Sequence, residues 1–137
     1  MPLQSDTELR AVLQRTTTIA VVGCSSTPGK AAHEIPRFLH EHGYQIAPVN
    51  PYANAIFGID AVDSLAELTG QIDLVNVFRP AAEVPDIVDT VLEREDVATV
   101  WLQRGIVHDA AASRVETTGR AVVQDQCMKV EYKRLIG

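Results

Sequence analysis

Several things are scarce in this 137-residue chain, and each scarcity excludes something. Only two cysteines occur, Cys24 and Cys127, too few for a disulfide scaffold and without the CxxC spacing of zinc or thioredoxin sites. Basic residues are outnumbered, 12 Lys and Arg against 18 Asp and Glu, giving a net charge of −6. That balance argues against a general nucleic-acid or membrane-surface binder, which needs a basic footprint. No apolar run approaches the roughly 20 residues of a transmembrane helix. The N-terminus, from Met1 to Asp6, has neither the basic nor the apolar region of a signal peptide, so the cytoplasm is the expected compartment. No repeat, linker or low-complexity tract breaks the chain, and one domain over residues 1–137 is expected.

What is present is a core-forming composition, 46% hydrophobic and 22% charged. Five short runs rich in β-branched residues stand out: Thr18–Val22, Gln45–Val49, Ile72–Phe78, Ala98–Leu102 and Arg120–Gln124. Several are continuously apolar rather than alternating, the mark of strands buried on both faces of a parallel sheet. Helical patterns lie between them. Ser5 and Glu8 form a capping box ahead of Leu9, Val12 and Leu13. Ile35, Phe38, Leu39 and His42 share a face closed by Gly43, and Val84, Ile87, Val88, Val91 and Leu92 make an unbroken stripe with Pro85 in the first turn. A short helix capped by Asp63 or Ser64, one capped by Asp109, and a last one within Asp125–Arg134 complete the order. This alternation predicts a three-layer, doubly wound Rossmann-like α/β fold with a five-stranded parallel sheet in the order 3-2-1-4-5. A ligand crevice is then expected at the carboxyl ends of strands 1 and 4.

The residues at those ends suit an anion. Strand 1 runs into Gly23, Cys24, Ser25, Ser26, Thr27, Pro28, Gly29 and Lys30, and a helix follows. Such a loop offers backbone N–H groups, hydroxyls, a cation and a positive helix end to a phosphate, although the same residues also make an ordinary capped turn. The dinucleotide fingerprint is broken, because Ser25 and Pro28 stand where GxGxxG needs glycine. A P-loop is not spelled either. Asn50 and Pro51 end strand 2, where a nicotinamide dinucleotide site would want an acid. Phe78, Arg79 and Pro80 end strand 3; Arg79 fits a phosphate, or an ion pair with a surface carboxylate, and both readings stay open. Gln103 and Gly105 end strand 4, the first with a pairing amide and the second open to close approach. Trp101 is expected under the sheet, and His33 and His40 on solvent-facing helix positions. Neither HExxH nor GxSxG occurs, so no catalytic residue and no metal ligand is assigned.

Six segments together resemble the small stand-alone CoA-binding proteins, which share the Rossmann-type CoA-binding domain of the succinyl-CoA synthetase α chain. They are Ile19–Gly23 with Ser25 and Pro28; His42–Tyr44 with Pro48–Pro51; Val77–Pro80; Val84–Pro85; Val100–Gln103 with Gly105; and Asp125, Cys127, Lys129, Glu131 and Tyr132. The resemblance implies coenzyme A or an acyl-CoA as ligand. Gly23, Ser25 and Lys30 would belong to the phosphate end, and Asn50 and Pro51 would border the adenosine. Phe78, Arg79 and Pro80 would line the diphosphate and pantetheine path, with Gln103 and Gly105 nearing the pantetheine. Three positions depart from the family pattern: Ala32 replaces a usual Ser, Gln126 a usual Arg, and Cys24 a plain apolar residue. The synthetases' phosphorylated histidine lies in a different domain, so their catalysis is not carried over. A non-catalytic carrier, sensor or partner module is the expectation. The alternatives are a nicotinamide-dependent oxidoreductase and a redox-responsive module using Cys24 or Cys127.

Overall fold

A computed structural model describes residues 1–137. Five strands, β1 (Thr18–Val22), β2 (Gln45–Val49), β5 (Leu74–Val77), β6 (Thr99–Leu102) and β7 (Ala121–Val123), form one all-parallel sheet. A two-stranded antiparallel hairpin, β3 (Ala55–Ile56) and β4 (Ile59–Asp60), stands apart from it. Helices α1 (Asp6–Arg15), α2 (Ala31–Glu41) and α5 (Met128–Leu135) cover one face, and α3 (Val84–Leu92) and α4 (Asp109–Glu116) cover the other.

The period-2 geometry of a strand divides its residues between two cores. Ile19 and Val21 of β1, Leu74 of β5 and Trp101 of β6 pack with Leu9, Val12 and Leu13 of α1, Leu39 of α2 and Met128 of α5. Ala20, Val75, Val77, Val100 and Leu102 point the other way, against Val84, Val88 and Val91 of α3 and Ala111, Ala112 and Val115 of α4. Every residue of β5 and β6 is buried, the polar Asn76 and Thr99 included, as in a sheet covered on both faces. Each fully buried Val or Leu contributes about 1.5–3 kcal/mol. The Rossmann-like α/β class is the one expected. Trp101 is fully buried, as anticipated, and its Nε1 donates to the Gln126 carbonyl at 2.8 Å.

The strand order corrects the expected 3-2-1-4-5. The sheet runs β2-β1-β5-β6-β7, so the third long strand lies beside the first rather than beyond the second. Both orders satisfy right-handed crossovers and the same alternation of elements, so periodicity does not separate them. The crossover itself decides. The Asp73 carboxylate accepts the N–H groups of Thr17 and Thr18, both at 2.9 Å, and Asp73 N–H donates to the Thr18 carbonyl at 3.0 Å. These bonds seat the entry of β5 directly on β1. The winding therefore reverses between β1 and β5.

Local differences follow from side-chain partners. The helix expected from Asp63 or Ser64 is a single 3₁₀ turn, Leu65–Glu67, closed by a Ser64–Glu67 capping box. His108 rather than Asp109 caps α4, its Nδ1 accepting the Ala111 N–H at 3.1 Å. His33 is not solvent-facing: it is buried, with Nδ1 at 2.9 Å from the Glu34 carboxylate and its ring against Phe57. Phe57 and Gly58, both at positive φ (56° and 73°), make the tight turn of the unanticipated β3–β4 hairpin. No helix is long and apolar enough to cross a membrane.

Candidate functional site

The site begins at the end of β1. Gly23 continues the sheet by donating to the Val49 carbonyl at 3.1 Å, then turns left-handed at φ +87°. A Cβ there would lie 2.8 Å from Arg79 Cδ and 3.1 Å from the Phe78 carbonyl oxygen. Glycine is needed twice over, for the conformation and for the Arg79 stem that crosses it.

The loop after Gly23 is tied down by its neighbours. Asn50 Nδ2 donates to the Cys24 carbonyl at 2.9 Å, while its Oδ1 accepts the Tyr52 N–H at 2.7 Å. Ser25 N–H donates to the Ala32 carbonyl at 2.9 Å. That carbonyl is free because Pro36, four residues on within α2, has no N–H to give it. Ser25 Oγ accepts from Thr27 N–H at 3.0 Å, and the Glu34 carboxylate accepts from Gly29 N–H at 3.2 Å. Those N–H groups are used internally. The N–H groups of Cys24, Ser26, Ala31 and Ala32 have no acceptor in the protein. This is a smaller set of donors than the bare sequence offers, but it clusters where β1 gives way to α2.

A cleft of about 650 Å³ opens beside this loop, over the carboxyl ends of β1, β2 and β5. Gly23, Ser25, Lys30, Asn50, Pro51, Phe78 and Arg79 line it. Ser26 and Thr27 belong to the same loop and Pro80 follows Arg79; all three are exposed and outside the lining. Gln103 and Gly105 lie elsewhere, past β6. Gln103 is 5% exposed, and its Oε1 accepts from Asn76 Nδ2 at 3.3 Å and Met128 N–H at 3.1 Å. Gly105 N–H donates to the Asp125 carboxylate at 2.6 Å. The crevice expected between strands 1 and 4 presumed that they are neighbours; β5 stands between them.

The other wall of the cleft was not legible in advance. Tyr52, Asp63, Ser64 and Leu65 arrive because Val62 bridges in parallel to Val49, which lays this segment beside the end of β2. Glu83, Asp86, Ile87 and Thr90 come from the start and one face of α3. Charges are mixed, with Lys30 and Arg79 set against Asp63, Glu83 and Asp86. Arg79 Nε and Nη2 donate to the two carboxylate oxygens of Glu83 at 3.1 and 2.7 Å. These bonds lower the Glu83 pKa and raise that of Arg79, so both are fully charged near neutral pH. Cys24 is 1% exposed, and burial pushes its thiol up to about 12, so it stays protonated and inert at neutral pH.

Together the sheet, the pinned glycine loop and the cleft at the winding reversal define a Rossmann-like α/β protein. Residues 17–133 match the CoA binding domain family, and the chain belongs to that family. It is 39% identical over 128 residues to the uncharacterized protein YneT of Bacillus subtilis, covering 93% of this chain and 94% of that protein. It superposes on the solved structure of cell-free ID.343 from Thermus thermophilus with a TM-score of 0.86 at 39% identity, covering 97% of this chain and 100% of the other. A third relative is the ADP-forming acetate–CoA ligase of Methanocaldococcus jannaschii, 32% identical over 72 residues. That match spans 53% of this chain but only 10% of the ligase. Family membership supports coenzyme A as the ligand class.

Proposed function

We propose that the chain is a single binding domain that holds coenzyme A or an acyl-CoA in the cleft over β1, β2 and β5. In this reading the phosphates lie against the N–H groups of Cys24 and Ala32, with Lys30 and Arg79 as cations. The apolar wall of Val49, Pro51 and Leu65 takes the rest of the nucleotide. The observation that carries the proposal is the crossing of Arg79 over Gly23. It sets the Arg79 stem over the loop whose unpaired N–H donors lead into α2, and a guanidinium with helix-start N–H groups suits a diphosphate.

The domain acts as a carrier, sensor or partner module rather than as an enzyme by itself. In the cleft Arg79 and Glu83 keep each other charged, and no nucleophile is paired with a base there. The buried, protonated Cys24 weighs against a thiol-based redox role at this position. Ser25 and Pro28 in the glycine loop weigh against a nicotinamide dinucleotide.

Native mass spectrometry and calorimetry test the reading. A one-to-one complex with CoA is expected, with acetyl-CoA and longer acyl-CoAs bound about equally well and pantetheine hardly at all, because the grip is on the phosphates. Saturable binding of NAD at concentrations where CoA does not bind would overturn it.

A further inference from the structure

The Arg79–Glu83 pair raises a question that the ligand reading leaves open. One of the two forked edges of the guanidinium, the Nε–Nη2 edge, is already occupied by the two oxygens of Glu83. The pairing is local, one turn apart across the 3₁₀ turn Ala81–Glu83 that leads into α3. The Arg79 stem lies over Gly23, where a Cβ would meet its Cγ and Cδ. Arg79 and Glu83 both line the cleft. Each partner is 47% exposed, so burial does not lock the carboxylate in place. Lys30, the other cation of the cleft, is in no ion pair.

Resting on the ligand reading above, we propose that Glu83 is a specificity-determining residue: a resident carboxylate that competes with the ligand for the Nε–Nη2 edge of Arg79. A singly charged acid brings no more charge than Glu83 and lacks its tethered proximity, so it competes poorly for Arg79. A phosphate carries more charge and more acceptor oxygens and competes better. The pair thereby favours phosphorylated ligands over simple carboxylates by a small factor. An exposed ion pair of this type is worth up to about 1 kcal/mol, so its removal should change affinity by no more than about fivefold.

The test is a double-mutant cycle by calorimetry on the full chain, with CoA as ligand and inorganic phosphate as competitor. Glu83→Gln is expected to bind CoA about two- to fivefold more tightly, and phosphate is expected to compete more strongly by a similar factor. Glu83→Ala should change affinity in the same direction, which separates the charge from the amide. In an Arg79→Ala background the gain should vanish. Weaker CoA binding by Glu83→Gln would overturn the proposal, because Glu83 would then be positioning Arg79 for the ligand. An equal gain without Arg79 would also overturn it, reducing Glu83 to general repulsion. If the unaltered chain binds no CoA, the ligand reading itself falls; if it binds and Glu83→Gln is not tighter, only this inference falls.

Discussion

The carboxyl edge of the sheet has two halves that look alike in sequence and differ in structure. Over β1, β2 and β5, four backbone N–H groups lack acceptors, and the Arg79–Glu83 pair faces the cleft half-exposed. Over β6 and β7, the side chains at the strand ends are bonded to backbone and to one another, although the N–H groups of Arg104, Val107 and Cys127 have no acceptor and Asn76 Oδ1 is buried without a partner. Gln103 holds Asn76 and the first N–H of α5; Gln124 Oε1 accepts from His108 N–H at 2.7 Å, while its Nε2 donates to Asp109 at 3.0 Å; Asp125 holds Gly105. One half borders an open cleft, and in the other the strand-end side chains Gln103, Gln124 and Asp125 are engaged internally. A polar residue at a strand end is thus read correctly only when its internal partners are known.

Substitutions on either side sharpen the contrast. The largest effect is expected at Gly23. Alanine there meets Arg79 and the Phe78 carbonyl and must hold φ +87°, so stability should fall by about 1–3 kcal/mol in denaturant titration, with CoA binding lost together with it. Arg79→Ala should separate the two quantities. Affinity for CoA should drop by about 1.5–3 kcal/mol in calorimetry, the worth of a charge-assisted bond, while stability barely moves. Gln103→Leu should do the reverse. It leaves Met128 N–H buried without its acceptor and should cost about 1–3 kcal/mol of stability, with CoA affinity unchanged. If Gln103→Leu weakens binding as much as Arg79→Ala, the two halves are not distinct.

The smallest effect concerns acid. Asp96 receives two hydrogen bonds from Arg94, at 3.0 and 2.8 Å, and one from Ile72 N–H at 2.8 Å, close ahead of β5. The Arg94 bonds hold its pKa down to about 2. A carboxylate depressed in the folded state contributes stability above its unfolded pKa and loses it as pH falls through the folded value. Between about pH 4 and pH 2 the chain should lose on the order of 1–2 kcal/mol through this group, a loss that Asp96→Asn abolishes. Equilibrium unfolding across that range checks it.

Much of this was open to reading from the chain alone. The five strand segments and the faces of α1, α2 and α3 follow from periodicity, because burial on two faces or one leaves distinct patterns. Strand order was not open to reading. It depends on contacts such as Asp73 on Thr17 and Thr18, between residues more than 50 positions apart. The Gly23–Lys30 loop, Asn50 and Arg79 were legible because each sits where a strand ends. Asp63 and Leu65 were not, since a single bridge at Val62 brings them to β2. Pro36 was present in the sequence, but its role, freeing the Ala32 carbonyl for Ser25, needs the loop in place. Gln103 and Arg79 carry equivalent promise as residues at strand ends; only their partners tell them apart.

Backbone amide NMR of the isotope-labelled chain titrated with CoA tests the central contrast most directly. The account predicts perturbed amides at Gly23–Ala32, Asn50–Tyr52 and Phe78–Glu83, with Gln103–His108 and Gln124–Met128 unmoved. Shifts concentrated at Gln103, Gly105 and Met128, with the Gly23 loop silent, would contradict it.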